Sequence, residues 1–325
     1  MSDLHLTTPK KPHIIGWIGT ILVRIVIPIW ILIGATAKVL GATPKSLPRP
    51  VLDGGVLIGF TDHFLLLAIL VAIEFAFVSV MLFIPRIARI AATMILAVFL
   101  IVLSVDMFAY GNYESCGCFG DQSMAPTTMF IVDLILLIGI AIFKPRRCRI
   151  ELGNEKRGLV GAACFVIIAS LFTFSTIMYS VKASNNESDL DLPKSWFPTD
   201  IVNWNGKSID DIQLFSWVNE WPSDIRVGKQ YVIFYSTTCD HCEALLYAFF
   251  EFPKFPTTIV AIPQSIEPVN YENSFENPCF DCAKTELSNG PDWIIGTPLV
   301  IAIENGIVQC ATENEDYEVP TCLIW

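Results

Sequence analysis

The sequence predicts an α-helical membrane bundle followed by an α/β domain held outside the bilayer. Three observations lead there. Five apolar stretches, at 14–37, 60–84, 90–110, 127–143 and 159–181, approach or exceed the roughly 20 residues that a helix needs to cross a bilayer. Hydrophobic residues make up 53% of the 325 and charged residues only 16%, too apolar for an ordinary soluble chain. The character of the chain then changes near residue 184. Residues 1–183 hold 15 Lys and Arg against 10 Asp and Glu, net +5, whereas 184–325 hold 6 against 22, net −16.

Orientation follows from the basic loops. Lys144, Arg146, Arg147, Arg149, Lys156 and Arg157 lie between the fourth and fifth stretches and mark that loop as cytoplasmic. Arg86 and Arg89 between the second and third agree, as do Lys10 and Lys11. Residues 112–126 contain no Lys or Arg and are expected outside, while Lys45 and Arg49 run against the rule. Lys10, Lys11 and the later Ala35-Thr36-Ala37 resemble a secretory leader and its cleavage site. The apolar run between them is too long and is interrupted by Arg24, so it is read as a retained span. The expectation is a bacterial-type inner membrane protein with five spans, a cytoplasmic N-terminus and a periplasmic C-terminal domain. Its parts are a four-span domain at 1–145, a basic loop and fifth span at 146–183, a polar acidic linker at 184–195, and the outer domain at 196–325.

In the outer domain, Tyr231-Val-Ile-Phe-Tyr235 reads as a buried strand, with a helix opening near Cys239 and closing before Pro253. Thr258-Ile-Val-Ala-Ile262 is a second strand. Leu299–Ile303 and Ile307–Cys310 form a hairpin around Asn305-Gly306, a strong turn signal. Between the first strand and its helix stands Cys239-Asp240-His241-Cys242. A helix start offers free backbone N–H groups that stabilise a thiolate, the attacking species in disulfide exchange. Cys239 is the expected nucleophile and Cys242 the resolving thiol, with His241 favouring the thiolate further.

Tyr235-Ser-Thr-Thr-Cys239-Asp-His-Cys242 resembles the thioredoxin active-site stretch, and Thr297-Pro298 before a strand resembles that family's cis-proline. The resemblance implies a thioredoxin-like fold with Pro298 cis and close to the cysteines. Two departures stand out: the interval before Pro298 is long and holds Cys279-Phe280-Asp281-Cys282, and the usual last helix is missing. Cys279 and Cys282 are open to three readings: a stapling disulfide, which is preferred, a second redox relay, or a metal site. Cys310 and Cys322 read as a structural disulfide tying down the tail.

The membrane portion has its own pair, in Glu114-Ser-Cys116-Gly-Cys118-Phe-Gly120. Two cysteines separated by one glycine close only a small strained ring, and strain makes a disulfide labile. This run resembles the MauE/DoxX family of redox-associated membrane proteins, as do Arg24 and Lys38 bracketing the first span, Glu74 in the second and Asp133 in the fourth. The resemblance covers about residues 14–145. It implies a four-helix bundle serving extracytoplasmic disulfide chemistry, with the fifth span as connector. Ionisable groups at membrane depth are costly and usually paired or functional. An ion pair such as Arg24 with Glu74 is the structural expectation, proton handling beside Cys116 and Cys118 the functional one, and Asp106 is expected at the interface. Cys148 and Cys164 are read as a free thiol and a small apolar filler.

Together these signals predict a thiol–disulfide oxidoreductase that relays electrons between Cys239/Cys242 and Cys116/Cys118. Oxidation of substrate proteins is the preferred direction. The MauE resemblance implies a role like that family's in maturation of methylamine dehydrogenase. No bound cofactor or metal is required, and a membrane quinone is the candidate electron acceptor. The expected partners are extracytoplasmic proteins with thiols or disulfides, together with the lipid bilayer. The acidic outer domain excludes nucleic acid, which needs a basic footprint. Two other readings are a vitamin K epoxide reductase-like enzyme, disfavoured by the Cys-Gly-Cys loop, and a metallochaperone using Cys239, Cys242, Cys279, Cys282 and His241. A third is a non-catalytic anchor whose fused domain only docks partners.

Overall fold

The computed structural model describes residues 14–41, 43–60, 62–110, 125–143, 152–184, 192–199, 201–263 and 274–325. The chain divides near residue 180 into two compact units.

In the N-terminal unit, α1 (Ile14–Ile21) continues through a π-helical turn at Leu22–Val26 into α2 (Ile27–Gly41). A short α3 (Arg49–Leu57) precedes α4 (His63–Phe83), α5 (Ala88–Ala109), α6 (Pro126–Ile142) and α7 (Leu152–Ser184). Asp62 starts α4 by accepting the Leu65 N–H at 3.0 Å, satisfying a donor that a helix start leaves open. Four apolar helical segments are long enough to cross a bilayer: Gly16–Gly41, His63–Phe83, Ala88–Ala109 and Gly158–Ile177. The remaining apolar helix, α6, has 17 residues. At about 1.5 Å per residue it rises about 25 Å, short of the roughly 30 Å hydrocarbon core.

The helices share a core of Val23, Ile27 and Ile31 with Val78, Met81, Ala92, Ile95, Leu96 and Ile140. Small residues let the backbones approach. Gly158 shows the limit, because a Cβ there would lie 2.5 Å from the Phe83 carbonyl oxygen. Ser79 fastens α4 to α7 by donating to the Ala162 carbonyl at 2.9 Å.

The buried charges pair differently from the sequence expectation. Lys38, not Arg24, forms the ion pair with Glu74. Arg24 instead donates to the Leu82 carbonyl at 2.5 Å. Leu82 lies about two turns beyond Glu74 on α4, and a cation suits the open carbonyls of a helix end. Asp106 is fully buried, in the last turn of α5. Cys164 is exposed on α7 rather than filling a gap. Helix α7 also takes in Lys156 and Arg157 and runs through Ser184, so it begins inside the expected loop and covers the first linker position.

The C-terminal unit is built on a five-stranded mixed sheet. Its strands are β2 (Lys229–Tyr235), β3 (Thr257–Ala261), β4 (Ala283–Glu286), β6 (Leu299–Glu304) and β7 (Ile307–Thr312), in the order β4-β3-β2-β6-β7. β2, β3 and β4 run parallel, whereas β6 is antiparallel to both β2 and β7. A separate parallel pair joins β1 (Ser195–Trp196) to β5 (Asp292–Trp293). Between β2 and β3 lie α8 (Asp240–Leu245) and a π-helical turn at Leu246–Phe250. The β6–β7 turn places Asn305 at φ 51° and Gly306 at φ 78°, the left-handed pair that a tight hairpin turn requires.

Alternation along the strands divides the core between the two faces of the sheet. Val232, Phe234, Leu299, Ile301 and Ile303 pack with Ile201, Trp204, Leu214, Phe215 and Trp217 from two short 3-10 segments. Tyr231, Ile233, Tyr235, Val300 and Ala302 pack on the other face with Cys242, Leu245, Leu246 and Phe250. After β7 the chain forms no further helix and lies against this second face. The tail is held by a Cys310–Cys322 disulfide. Buried Glu315 accepts the N–H groups of Thr321 and Cys322. The Trp325 N–H donates to the Tyr231 hydroxyl at 3.1 Å, and Lys229 lies 4.5 Å from the centre of the Trp325 ring.

Cys310→Ser is expected to lower the stability of the C-terminal unit by about 2–4 kcal/mol, because the open chain regains loop entropy on unfolding. Urea unfolding of the full chain followed by tryptophan fluorescence measures this, and an unchanged midpoint would show that the tail contributes nothing to stability.

Candidate dithiol site

The sheet register builds the site. Antiparallel pairing sets Phe234 opposite Leu299, so the end of β2 and the residues just before β6 lie at one edge. The Thr297–Pro298 peptide bond at that edge is cis. The chain leaves β2 through a turn in which the Cys239 N–H donates to the Ser236 carbonyl at 3.2 Å. Cys239 then caps α8, its sulfur accepting the Cys242 N–H at 3.2 Å. The Cys239 thiol also donates to the Thr297 carbonyl at 3.5 Å. The Gly296 N–H donates to Glu313 at 2.7 Å, which fixes the approach to Pro298.

Both cysteines are free thiols, Cys239 half-buried and Cys242 fully buried. Their acidities are driven apart. The Cys242 thiol donates to Cys239 and, helped by the Thr297 side chain, the Cys242 backbone N–H and the charge of His241, lowers the Cys239 pKa to about 7 against the opposing effect of burial. Burial, followed by the hydrogen bond to Cys239, pushes the Cys242 thiol strongly up. One sulfur is therefore ready to attack at neutral pH while the other stays protonated in the core. The His241 ring stands 6.4 Å from that of Tyr317.

Cys279 and Cys282 form a disulfide, in the same core cluster as Cys242 and Tyr235. Phe275 packs its ring 5.9 Å from Tyr235, and its N–H donates to the Thr237 carbonyl at 3.0 Å. The segment before the disulfide thus braces the turn that leads to Cys239. With both sulfurs bonded, Cys279 and Cys282 are not available as metal ligands in this form. Among the described residues no group of three or more His, Cys, Asp or Glu is arranged to hold a metal ion. Cys116, Cys118 and Cys148 lie outside the described residues. In the membrane unit, Asp133 is fully buried and accepts the Trp30 indole N–H at 2.9 Å.

Sequence reasoning missed Thr297 as a direct partner of Cys239, and it missed the supports at Glu313, Phe275 and Trp30. Thr297 carried a signal, since it precedes the proline that was singled out. Glu313 and Phe275 carried none, because each acts across a long stretch of chain.

Residues 13–144 match the family model described as Methylamine utilisation protein MauE. The match covers less than half of the 325 residues and ends just beyond α6, so α7 and the C-terminal unit lie outside it. No curated protein and no solved structure matches the chain.

Alkylation of Cys239 by iodoacetamide is expected to rise with pH through a midpoint near 7, where the lowered pKa of that thiol lies. Well below the midpoint the thiolate fraction falls roughly tenfold per pH unit. Cys242 stays unmodified across the same range. A Cys239 midpoint above 8.5, the value of an ordinary thiol, would contradict the asymmetry.

Proposed function

We propose that the chain is a membrane-anchored thiol–disulfide oxidoreductase whose C-terminal unit is thioredoxin-like. The observation that carries the proposal is the inequality of the two sulfurs: Cys239 is half-buried with its pKa lowered to about 7, and Cys242 beneath it is fully buried with its pKa raised. The strand order β3-β2-β6-β7, the cysteine pair after β2 and the cis bond before β6 support the thioredoxin-like reading. The apolar helices and the MauE match at 13–144 support a membrane protein with a role in methylamine utilisation. In this reading α6 completes a set of five crossings, the N-terminus is cytoplasmic and the dithiol faces the periplasm.

The reaction is exchange. A substrate thiolate attacks the oxidised Cys239–Cys242 bond at Cys239, and Cys242 leaves as a thiol. The second substrate thiolate then attacks the substrate sulfur of the mixed disulfide and releases Cys239. One substrate dithiol becomes a disulfide, and Cys239/Cys242 takes up its two electrons and two protons. The Cys116–Cys118 disulfide then reoxidises the pair. Because both pairs are on one chain, that second exchange is intramolecular and gains from effective concentration. A thiol pKa near 7 resembles that of thioredoxin. Cys239/Cys242 is thus a mild couple, and net oxidation is driven by the Cys116/Cys118 pair and the acceptor beyond it.

Cys242→Ser removes the resolving thiol and is expected to trap mixed disulfides through Cys239. Non-reducing electrophoresis and mass spectrometry should find periplasmic proteins, and Cys116 or Cys118, joined to Cys239. Cys239→Ser should abolish every such adduct. If Cys242→Ser yields no adduct with any protein or with the Cys116 loop, the relay is wrong.

A further inference from the structure

The membrane unit holds a second polar site that exchange at Cys239 does not use. A partly open cavity of about 110 Å³ lies among α2, α4, α5 and α6. Trp30, Phe99 and Leu103 contribute to its apolar wall, and Lys38, Glu74 and Asp133 also line it. These three ionisable residues are 7%, 5% and 0% exposed. Each carboxylate is half-used. Glu74 Oε1 is paired with Lys38, and Asp133 Oδ1 accepts from Trp30. Among the described residues, Glu74 Oε2 and Asp133 Oδ2 are buried with no hydrogen-bond donor. Buried acceptors of this kind are rare and call for a partner, and ionisable groups at membrane depth mark sites of function.

We infer that this cavity binds the ring of a lipid-soluble quinone and of its quinol. A ligand reaching it from the bilayer must be largely apolar. The volume is comparable to the roughly 150 Å³ apolar cavity that takes up benzene in another protein, so a single ring matches it better than a larger fused system. The polar groups require more than an acyl chain. A quinol supplies two hydroxyl donors for the two open carboxylate oxygens, and a quinone carbonyl accepts from the Lys38 ammonium. Lys38 lies 5.8 Å from the centre of the Phe99 ring, so its charge sits beside the aromatic wall.

The physiological meaning of the site rests on the proposed thiol oxidation. A dithiol gives two electrons and two protons on becoming a disulfide, and a quinone takes two of each on becoming a quinol, so the exchange balances without a further reactant.

Binding is tested apart from thiol chemistry by using full-length Cys239→Ser protein in lipid nanodiscs, titrated with ubiquinone-1 by calorimetry. Saturable one-to-one binding is expected. Asp133→Asn keeps an acceptor for Trp30 but replaces the open oxygen with a donor, and it should weaken binding at least tenfold. Leu103→Trp fills the cavity and should abolish binding. In the otherwise unmutated protein, an azidoquinone should crosslink to peptides of α2, α3, α4, α5 or α6, which supply the lining, and this needs no change to the cavity. Non-saturable uptake, equal affinity in Asp133→Asn, or crosslinks confined to other segments would each overturn the inference. Loss of quinone binding with intact trapping by Cys242→Ser removes this site alone. Quinone binding without any trapped adduct removes the thiol reading and leaves the cavity's ligand in place.

Discussion

The chemistry proposed for the C-terminal unit depends on the contact between two cysteine sulfurs made unequal by depth. Cys242 sits in the core, where a charged sulfur has no solvation, so its proton is retained and shared toward Cys239. Cys239 sits at the surface end of that contact and collects the thiol hydrogen bond, the Cys242 backbone N–H and the His241 charge. The sheet exists around this arrangement. The β2–β6 register carries Thr297 to the sulfur, Glu313 holds Gly296, and the segment at Phe275 braces Thr237. The tail that follows β7 covers the face on which Cys242 is buried, so the depth of that residue depends partly on a disulfide and on Glu315.

Much of this was legible in the residues. Buried strands of Val, Ile, Phe and Tyr announce themselves, and Asn305-Gly306 specifies its turn because few other residues accept that backbone. The strand, turn and helix around Cys239 followed from local pattern alone. β4 did not, because Ala283-Lys-Thr-Glu286 has no apolar run and forms a strand only as the sheet edge beside β3. The 3-10 segments from Ile201 to Trp217 were equally silent. Their apolar residues follow neither the helical nor the strand period, and only the exposed face of the sheet gives them a shape.

In the membrane unit, composition located the helices but did not pair their charges. Arg24 and Lys38 are both cations on the first long helical segment, and either could reach Glu74 on paper. Which one does so is decided by the register between the two helical segments, which sets Lys38 beside Glu74 and Arg24 beside Leu82, a tertiary fact without a local signature. The length of α6, by contrast, was legible: the apolar run at 127–143 has 17 residues, as many as the helix Pro126–Ile142. The family match ends just beyond α6.

The account stands on the reversibility of the Cys239/Cys242 couple, and a redox titration tests it most directly. The full-length protein is equilibrated with glutathione buffers and the oxidised fraction of each cysteine pair is read by differential alkylation and mass spectrometry. Cys239–Cys242 should show one reversible two-electron transition, within the span of about −270 to −120 mV covered by thioredoxin-like proteins, while Cys279–Cys282 and Cys310–Cys322 remain oxidised throughout. A Cys239–Cys242 pair that stays in one state across that span, or that titrates only together with the two structural disulfides, would contradict it.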